Sequence, residues 1–169
     1  MLYYEIYETD IGEVFIAQDE DAITDLCMME EGIDLTGAQR METPLLKKAA
    51  EMLREYLAGK RDEFDGLPLN PKGTEFQKKV WRALLEIPYG ETISYKQLAQ
   101  AIDNPLAVRA VGGANGKNPI FIVIPCHRVI GADGSLAGFA YGTELKKKLL
   151  RIEKAECAPT HDQTSLFEC

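Results

Sequence analysis

The chain has 169 residues, 27% of them charged and 46% hydrophobic, with four cysteines and two histidines. That composition suits one large or two small globular domains and excludes disorder as the main state. No apolar run approaches the ~20 residues that span a bilayer, so no membrane association is expected. The opening MLYYEIYETD is no secretory signal, and a cytoplasmic location is expected. Taken whole, a net charge of −8 argues against nucleic acid as a partner. The charge is uneven, however: residues 1–71 hold 17 acidic and 6 basic side chains, residues 72–128 hold 4 and 8, and residues 129–169 hold 6 and 5. Only the middle of the chain is basic.

Residues 2–8, 13–18 and 22–29 alternate apolar and polar side chains between turn signals, which predicts an antiparallel meander of three short strands. A helix is expected over about 44–58, with Thr43 as cap, Pro44 at the first position and Leu45, Ala49, Met52, Leu53 and Tyr56 as its core stripe. The Gly-, Pro- and charge-rich segment 59–73 reads as a linker. Beyond it Thr74 caps a helix of about 75–87, with Phe76, Val80, Trp81, Leu84 and Leu85 on its buried face. Ser94 and Gln97 have capping-box spacing and open a helix to about Ile102. Asn104-Pro105 turns into another helix, about 105–115, so the pair reads as a helix-turn-helix.

This second helix carries one charge, Arg109, among Ala107, Ala110, Gly112, Gly113 and Ala114. Each glycine costs a helix about 1 kcal/mol, so either a partner approaches the backbone closely or the helix is tightly packed inside the fold. A buried strand is expected at 120–124 (IFIVI), then Pro125-Cys126-His127-Arg128, a turn at 131–134, and a last helix over about 144–156. Thr143 would cap that helix, with Leu145, Leu149 and Ile152 facing the core; the tail 158–169 has no pattern. The fold class is therefore α+β. Its domains are residues 1–71, an acidic sheet-and-helix domain with its linker from about 59, and residues 72–157, mainly helical with a winged-helix-like helix-turn-helix.

Cys27, Cys126, Cys157 and Cys169 form no CxxC pair, and the histidines are only His127 and His161. Neither a zinc site nor a disulfide framework has the required spacing, so no metal is expected and the thiols are expected reduced. Cys126 differs from the others in standing past a buried run, beside a proline, a histidine and an arginine. A neighbouring base or cation raises the thiolate fraction of such a thiol. Adjacent side chains of an extended segment point apart, so His127 needs a bridging water or a local bend to reach the Cys126 proton. Glu153 follows Leu149 by four residues on the last helix, near the core stripe, at the end where the dipole disfavours an anion. It either pairs with His127 or turns to solvent beside a lysine of its own helix.

The stretches GTEFQKKVWRALLEIPYGETISYKQLA, RAVGGANGKNP, IPCHRVIG and LLRIE together resemble the O6-alkylguanine-DNA alkyltransferases, over about residues 73–156. The resemblance implies stoichiometric transfer of an alkyl group, chiefly methyl, from O6-alkylguanine in double-stranded DNA to Cys126, without a cofactor. It implies further that His127 is the base acting through water, that Glu153 orients it, and that Asn118 organises the site. Tyr95 would favour flipping of the nucleotide and Arg109 would enter the duplex in its place. Ala110 and Gly112 would let the helix approach the minor groove, with Lys96, Asn104 and Lys117 near phosphates. Pro125, Val129, Phe139, Ala140 and Tyr141 would line the base pocket. The family's usual tyrosine in that loop is Phe139 here, which loses a hydroxyl donor to the departing guanine. A monomer is expected. Two other readings fit less well: a non-enzymatic lesion-binding protein, whose relatives lack the acceptor cysteine, and an alkylation-sensing helix-turn-helix regulator, which needs a second sensing module.

Overall fold

Apolar–polar alternation near the start of the chain gives β1 (Leu2–Thr9), β2 (Gly12–Gln18) and β3 (Ile23–Met28). In this computed structural model, which describes residues 1–136 and 139–154, they pair antiparallel in sequence order. A fourth strand, β4 (Ala38–Arg40), extends the meander by pairing parallel with β1, so the sheet order is β3-β2-β1-β4. Ala38-Gln39-Arg40 is too short and too polar to show alternation, and the pattern of the sequence does not reveal it. The central β2 buries Val14 to Gln18 without a break. Over the sheet lies α1 (Pro44–Leu57), whose cap Thr43 accepts a hydrogen bond from the Leu46 amide at 3.0 Å. Leu46 takes the buried place expected of Leu45, alongside Ala49, Ala50, Met52, Leu53 and Tyr56.

The segment read as a linker does not hang free. Leu67 is buried, the Ile23 amide donates to the Pro68 carbonyl at 2.9 Å, and the Asn70 amide donates to the Ile23 carbonyl at 2.7 Å. The chain accordingly divides into two compact units at Lys72/Gly73.

The second unit opens with α2 (Glu75–Leu84), where Thr74 and Gln77 cap each other reciprocally. Val80, Trp81 and Leu84 face inward, but Leu85 is exposed, because the helix ends at Leu84 and the chain tightens into turns there. β5 (Ile93–Ser94) leads into α3 (Tyr95–Ala101), capped by the Ser94–Gln97 box. A turn with Asp103 at φ +58° separates α3 from α4 (Val108–Gly116), which begins three residues after Pro105. The Trp81 indole donates to the Ala114 carbonyl at 2.9 Å and joins α2 to α4.

The expected strand at 120–124 is instead a buried loop. The Ile124 amide returns to the Ile120 carbonyl at 3.0 Å, and Ile122 sits at φ +73°. A short apolar run signals burial, and periodicity cannot decide whether it is extended. Residues Cys126–Arg128 then form one 3-10 turn, and β6 (Val129–Ile130) pairs parallel with β5. The last helix, α5 (Thr143–Glu153), starts with Thr143 inside it, after Gly142 at φ +89°. Its buried face is Lys146, Leu149, Leu150 and Glu153, with Leu145 and Ile152 half-buried. The tail 158–169, the end of the second domain to 157, and the thiols Cys157 and Cys169 lie outside the described residues. No helix among the described residues is long and apolar enough to cross a membrane.

Gly73 sits where α2 packs back on its own entry. A Cβ there would meet the Trp81 ring at 2.5 Å and the Gln77 amide oxygen at 2.7 Å. The indole cannot move without breaking its bond to Ala114. Gly73→Ala should therefore cost about 1–3 kcal/mol, the usual cost of overpacking, in chemical denaturation of the full chain.

Candidate active site

The Cys126 side chain is 4% exposed, on a turn closed by the Arg128 amide donating to the Pro125 carbonyl at 3.0 Å. This turn is the local bend that an extended segment would lack. Burial pushes the thiol up to about 11; the Asn118 amide, the Lys146 cation and the backbone amides of Cys126 and His127 pull it down without overcoming burial. At rest the sulfur is therefore protonated, and it needs a base to become a nucleophile.

The next residue in the chain carries an imidazole. His127 is fully buried, and its Nε2 lies 2.6 Å from Glu153 Oε2. Burial would raise the Glu153 carboxyl, but hydrogen bonds and charge from His127 and Arg128 hold it at about 2, so it is an anion at neutral pH. A carboxylate only accepts, so Nε2 carries the imidazole proton and Nδ1 carries the basic lone pair. Burial also lowers the His127 pKa, with Arg128 and Lys146 acting in the same direction and Glu153 opposing. The ring is thus neutral and able to take a proton.

Glu153 is held on all sides. Arg128 Nε donates to Oε1 at 2.8 Å and its second guanidinium nitrogen to Oε2 at 3.1 Å, while the Gly90 amide donates to Oε1 at 3.1 Å. The remaining guanidinium nitrogen of Arg128 donates to the Ile87 carbonyl at 2.7 Å, and its plane lies over Tyr89 at 5.7 Å. Of the two orientations that the sequence leaves open for Glu153, the inward one is found.

Asn118 closes the 120–124 loop from inside. Its Nδ2 donates to the Ile124 carbonyl at 2.7 Å and its Oδ1 accepts from the Ile120 amide at 3.0 Å. Asn115 on α4 donates to the Cys126 carbonyl at 3.3 Å, joining the helix-turn-helix to the thiol turn. Lys146 is fully buried, and among the described residues no carboxylate is bonded to it. Its Nζ donates to the Val129 carbonyl at 2.5 Å, and lies 5.9 Å from the Tyr95 ring and 6.0 Å from that of Phe139. Burial brings it down to about 8, against the pull of Cys126.

The structure thus brings Cys126, His127, Glu153, Asn118 and Tyr95 together, with Pro125, Val129 and Phe139 buried nearby in sequence and Tyr141 half-buried, its ring 5.9 Å from that of Phe139. Ala140 is exposed. Lys96, Asn104, Arg109, Ala110 and Lys117 are exposed, away from the buried cluster, and Gly112 is half-buried. A Cβ on Gly112 would lie 3.9 Å from the Tyr95 ring and one on Gly113 would meet nothing, so internal packing does not demand these glycines. Sequence reasoning missed Lys146, the fork of Arg128, Asn115, and Leu106, a 97% exposed leucine just ahead of α4. The spacing of Lys146 and Glu153 around Leu149 and Leu150 was the available signal, since both charges share the helical face of the two leucines. Among the described residues no group of three or more His, Cys, Asp and Glu is placed to hold a metal.

Comparison with known proteins gives a consistent result. A family model described as the DNA-binding domain of 6-O-methylguanine DNA methyltransferase matches residues 75–155, and one for its ribonuclease-like domain matches residues 2–71. A methylated-DNA–protein-cysteine methyltransferase of Bacillus subtilis is 49% identical, over 91% of this chain and 96% of its own; one of Methanosarcina barkeri is 46% identical, over 90% and 98%. A Mycobacterium tuberculosis protein, OGT, crystallised in complex with DNA, superposes with TM-score 0.83 at 44% identity, over 90% of this chain and 92% of that one. On both domains and nearly its whole length, the chain belongs to the 6-O-methylguanine DNA methyltransferase family.

Proposed function

We propose that the chain repairs DNA by direct reversal, moving an alkyl group, chiefly methyl, from O6-alkylguanine in double-stranded DNA to Cys126, once per protein molecule. The observation that carries this is the buried thiol followed by an imidazole bonded at 2.6 Å to a carboxylate held ionised. Its relatives bear the name methylated-DNA–protein-cysteine methyltransferase, and the Mycobacterium tuberculosis protein was crystallised with DNA. A lesion-binding protein or a regulator has no need of such a relay.

The alkyl carbon of a stacked guanine is closed to in-line attack, so the nucleotide must leave the duplex. Tyr95 crowds the backbone beside it and Arg109 occupies the gap. Ala110 and Gly112 let α4 approach the minor groove, where reading is nearly blind to sequence, as repair at any guanine requires. Lys96, Asn104 and Lys117 hold phosphates and position the duplex. The base enters a pocket of Pro125, Val129, Phe139, Ala140 and Tyr141. Nδ1 of His127 then takes the thiol proton through a water, Glu153 stabilises the imidazolium, and Asn118 and Lys146 stabilise the thiolate. The S–C bond forms as the C–O6 bond breaks. The electron pair passes to the purine, which takes up a proton in place of the one lost by the thiol and is restored to guanine within the strand; the thioether at Cys126 ends the protein's activity. The acidic domain, residues 1–71, supports the domain from 72 to 157, and the protein works as a cytoplasmic monomer without cofactor.

The mass of the intact protein after incubation with an O6-methylguanine duplex tests the proposal. One methyl group should appear, on Cys126, and none on Cys126→Ala; turnover beyond one equivalent, or tight binding with unchanged mass, would contradict it. His127→Gln should slow single-turnover transfer at pH 7 by on the order of 10²–10⁴-fold, the usual worth of a positioned base. Because the thiol itself titrates at about 11, that deficit should shrink as pH rises toward that value in a rate–pH profile. Phe139→Tyr restores a donor toward the developing charge. At ~1.5–3 kcal/mol for such a bond, transfer should quicken by roughly tenfold or more, measured as a first-order rate at saturating protein.

A further inference from the structure

The α4 region exposes an apolar side chain where a soluble protein has least reason to place one. Leu106 is 97% exposed, and Val108, two residues on, is 36% exposed. On α4, Arg109, Ala110, Gly113 and, at the C-cap, Lys117 recur at helical spacing and are all exposed, with Leu106 exposed in the turn just ahead of the helix. The opposite side, Val111, Ala114 and Asn115, is buried. The outward side therefore carries small residues between Arg109 near its start and Lys117 at its end, where a solvent-facing side is usually polar throughout. Internal packing does not account for it: nothing would meet a Cβ at Gly113, and Leu106 touches almost nothing. One exposed leucine is ordinary; a fully exposed leucine beside a helical side of small residues flanked by two cations is a contact surface.

We infer that Leu106 is an apolar contact to the minor groove of duplex DNA, packing against the sugar wall beside the place where Arg109 enters. This rests on the proposed function, which brings α4 to the groove, and adds a residue and a kind of contact that it does not contain. A duplex is the occupant that the charge favours. The two cations Arg109 and Lys117 on the patch suit a polyanion, and the basic stretch 72–128 surrounds it in sequence. An apolar side chain beside it suits the deoxyribose faces and base edges of a narrow groove, where leucine recurs as a wedge. A protein partner with an apolar patch of its own would have no use for Arg109. Leu106 contributes affinity that does not depend on salt, because it releases no counterions.

Three variants of the full chain separate this from its alternatives: Leu106→Ala, Leu106→Gln and Leu106→Met. Equilibrium binding to an undamaged duplex is measured over a range of salt concentrations. Ala and Gln should bind about tenfold more weakly than the parent chain, with an unchanged slope of log affinity against log salt, while Met stays within about twofold. If Ala and Gln bind like the parent, or if Met is as weak as Ala, Leu106 is off the interface and the inference falls. Because Leu106 is exposed and outside the thiol site, methylation of Cys126 by the free nucleobase O6-methylguanine should proceed at the parent rate in all three. If the parent chain took no methyl group from either the free base or the duplex, the proposed function would fail, whereas the Leu106 result is read from binding alone.

Discussion

The second unit is organised around one buried carboxylate. Glu153 ends α5, where the helix dipole is least favourable to an anion, and it is 4% exposed. Such a charge is tolerable only if it is fully bonded, and removing one partner from a buried pair typically costs about 3–5 kcal/mol. Its partners come from the 3-10 turn, in His127 and Arg128, and from the loop after α2, in Gly90. Arg128 extends the network to the Ile87 carbonyl, and Tyr89 donates to the Ile152 carbonyl at 3.2 Å. The demand for satisfaction therefore brings together α5, the turn that carries the thiol, and the connection from α2 to β5. The interaction that orients the imidazole is also the one that closes this unit.

The charges around the thiol follow from the same constraint. Arg128 and Glu153 offset each other and burial favours the neutral form of His127, whereas among the described residues no carboxylate is bonded to Lys146. A buried ammonium whose described partners are one carbonyl and two ring faces is unfavourable, and burial brings it down to about 8. A negative charge developing on Cys126 would relieve it. The coupling runs both ways, since Lys146 lowers the thiol and Cys126 raises the lysine. Burial favours the protonated thiol, and in the proposed reaction Lys146 would offset the charge left when its proton departs. Electrostatic effects of this kind are strongest where the dielectric is low.

What the sequence disclosed, and what it concealed, follows from the kind of signal each feature leaves. Capping residues are local, and Thr43, Thr74 and Ser94 could be read directly, as could the turn between α3 and α4. Alternation marked β1 to β3, whereas the three residues of β4 have no pattern to read. Periodicity set the stripe of α1 one residue off, Leu45 for Leu46, because both are leucine and both lie near the boundary. IFIVI announced burial correctly; its looped path depends on both ends of the Asn118 amide, a contact that spacing cannot show. On α5 the apolar stripe and Glu153 beside it could be read, with the orientation of Glu153 left open, while Lys146 on the same face was missed. Which way a charged group near a core face turns is legible only once its partners are known. Their partners lie 17 residues away for Lys146 and 25 and 26 away for Glu153.

The charge distribution poses a final constraint on how such a chain can hold DNA. With a net charge of −8 the molecule as a whole repels a polyanion at long range, and the cations that can meet phosphate are those exposed within residues 72–128. Arg128 and Lys146 are committed to the buried cluster, so their charges are lost to the surface. A purely electrostatic interface would then be weak and would decay steeply with salt. The proposed interface eases that difficulty. A helical side of small residues would approach a duplex without desolvating polar groups, with Arg109 and Lys117 as its charges, and Leu106 would add apolar contact that salt does not screen. The exposure of Leu106 and the bareness of Gly113 are costly for a helix in water. They become intelligible as properties of a surface meant to be covered by a polyanion that the rest of the protein repels.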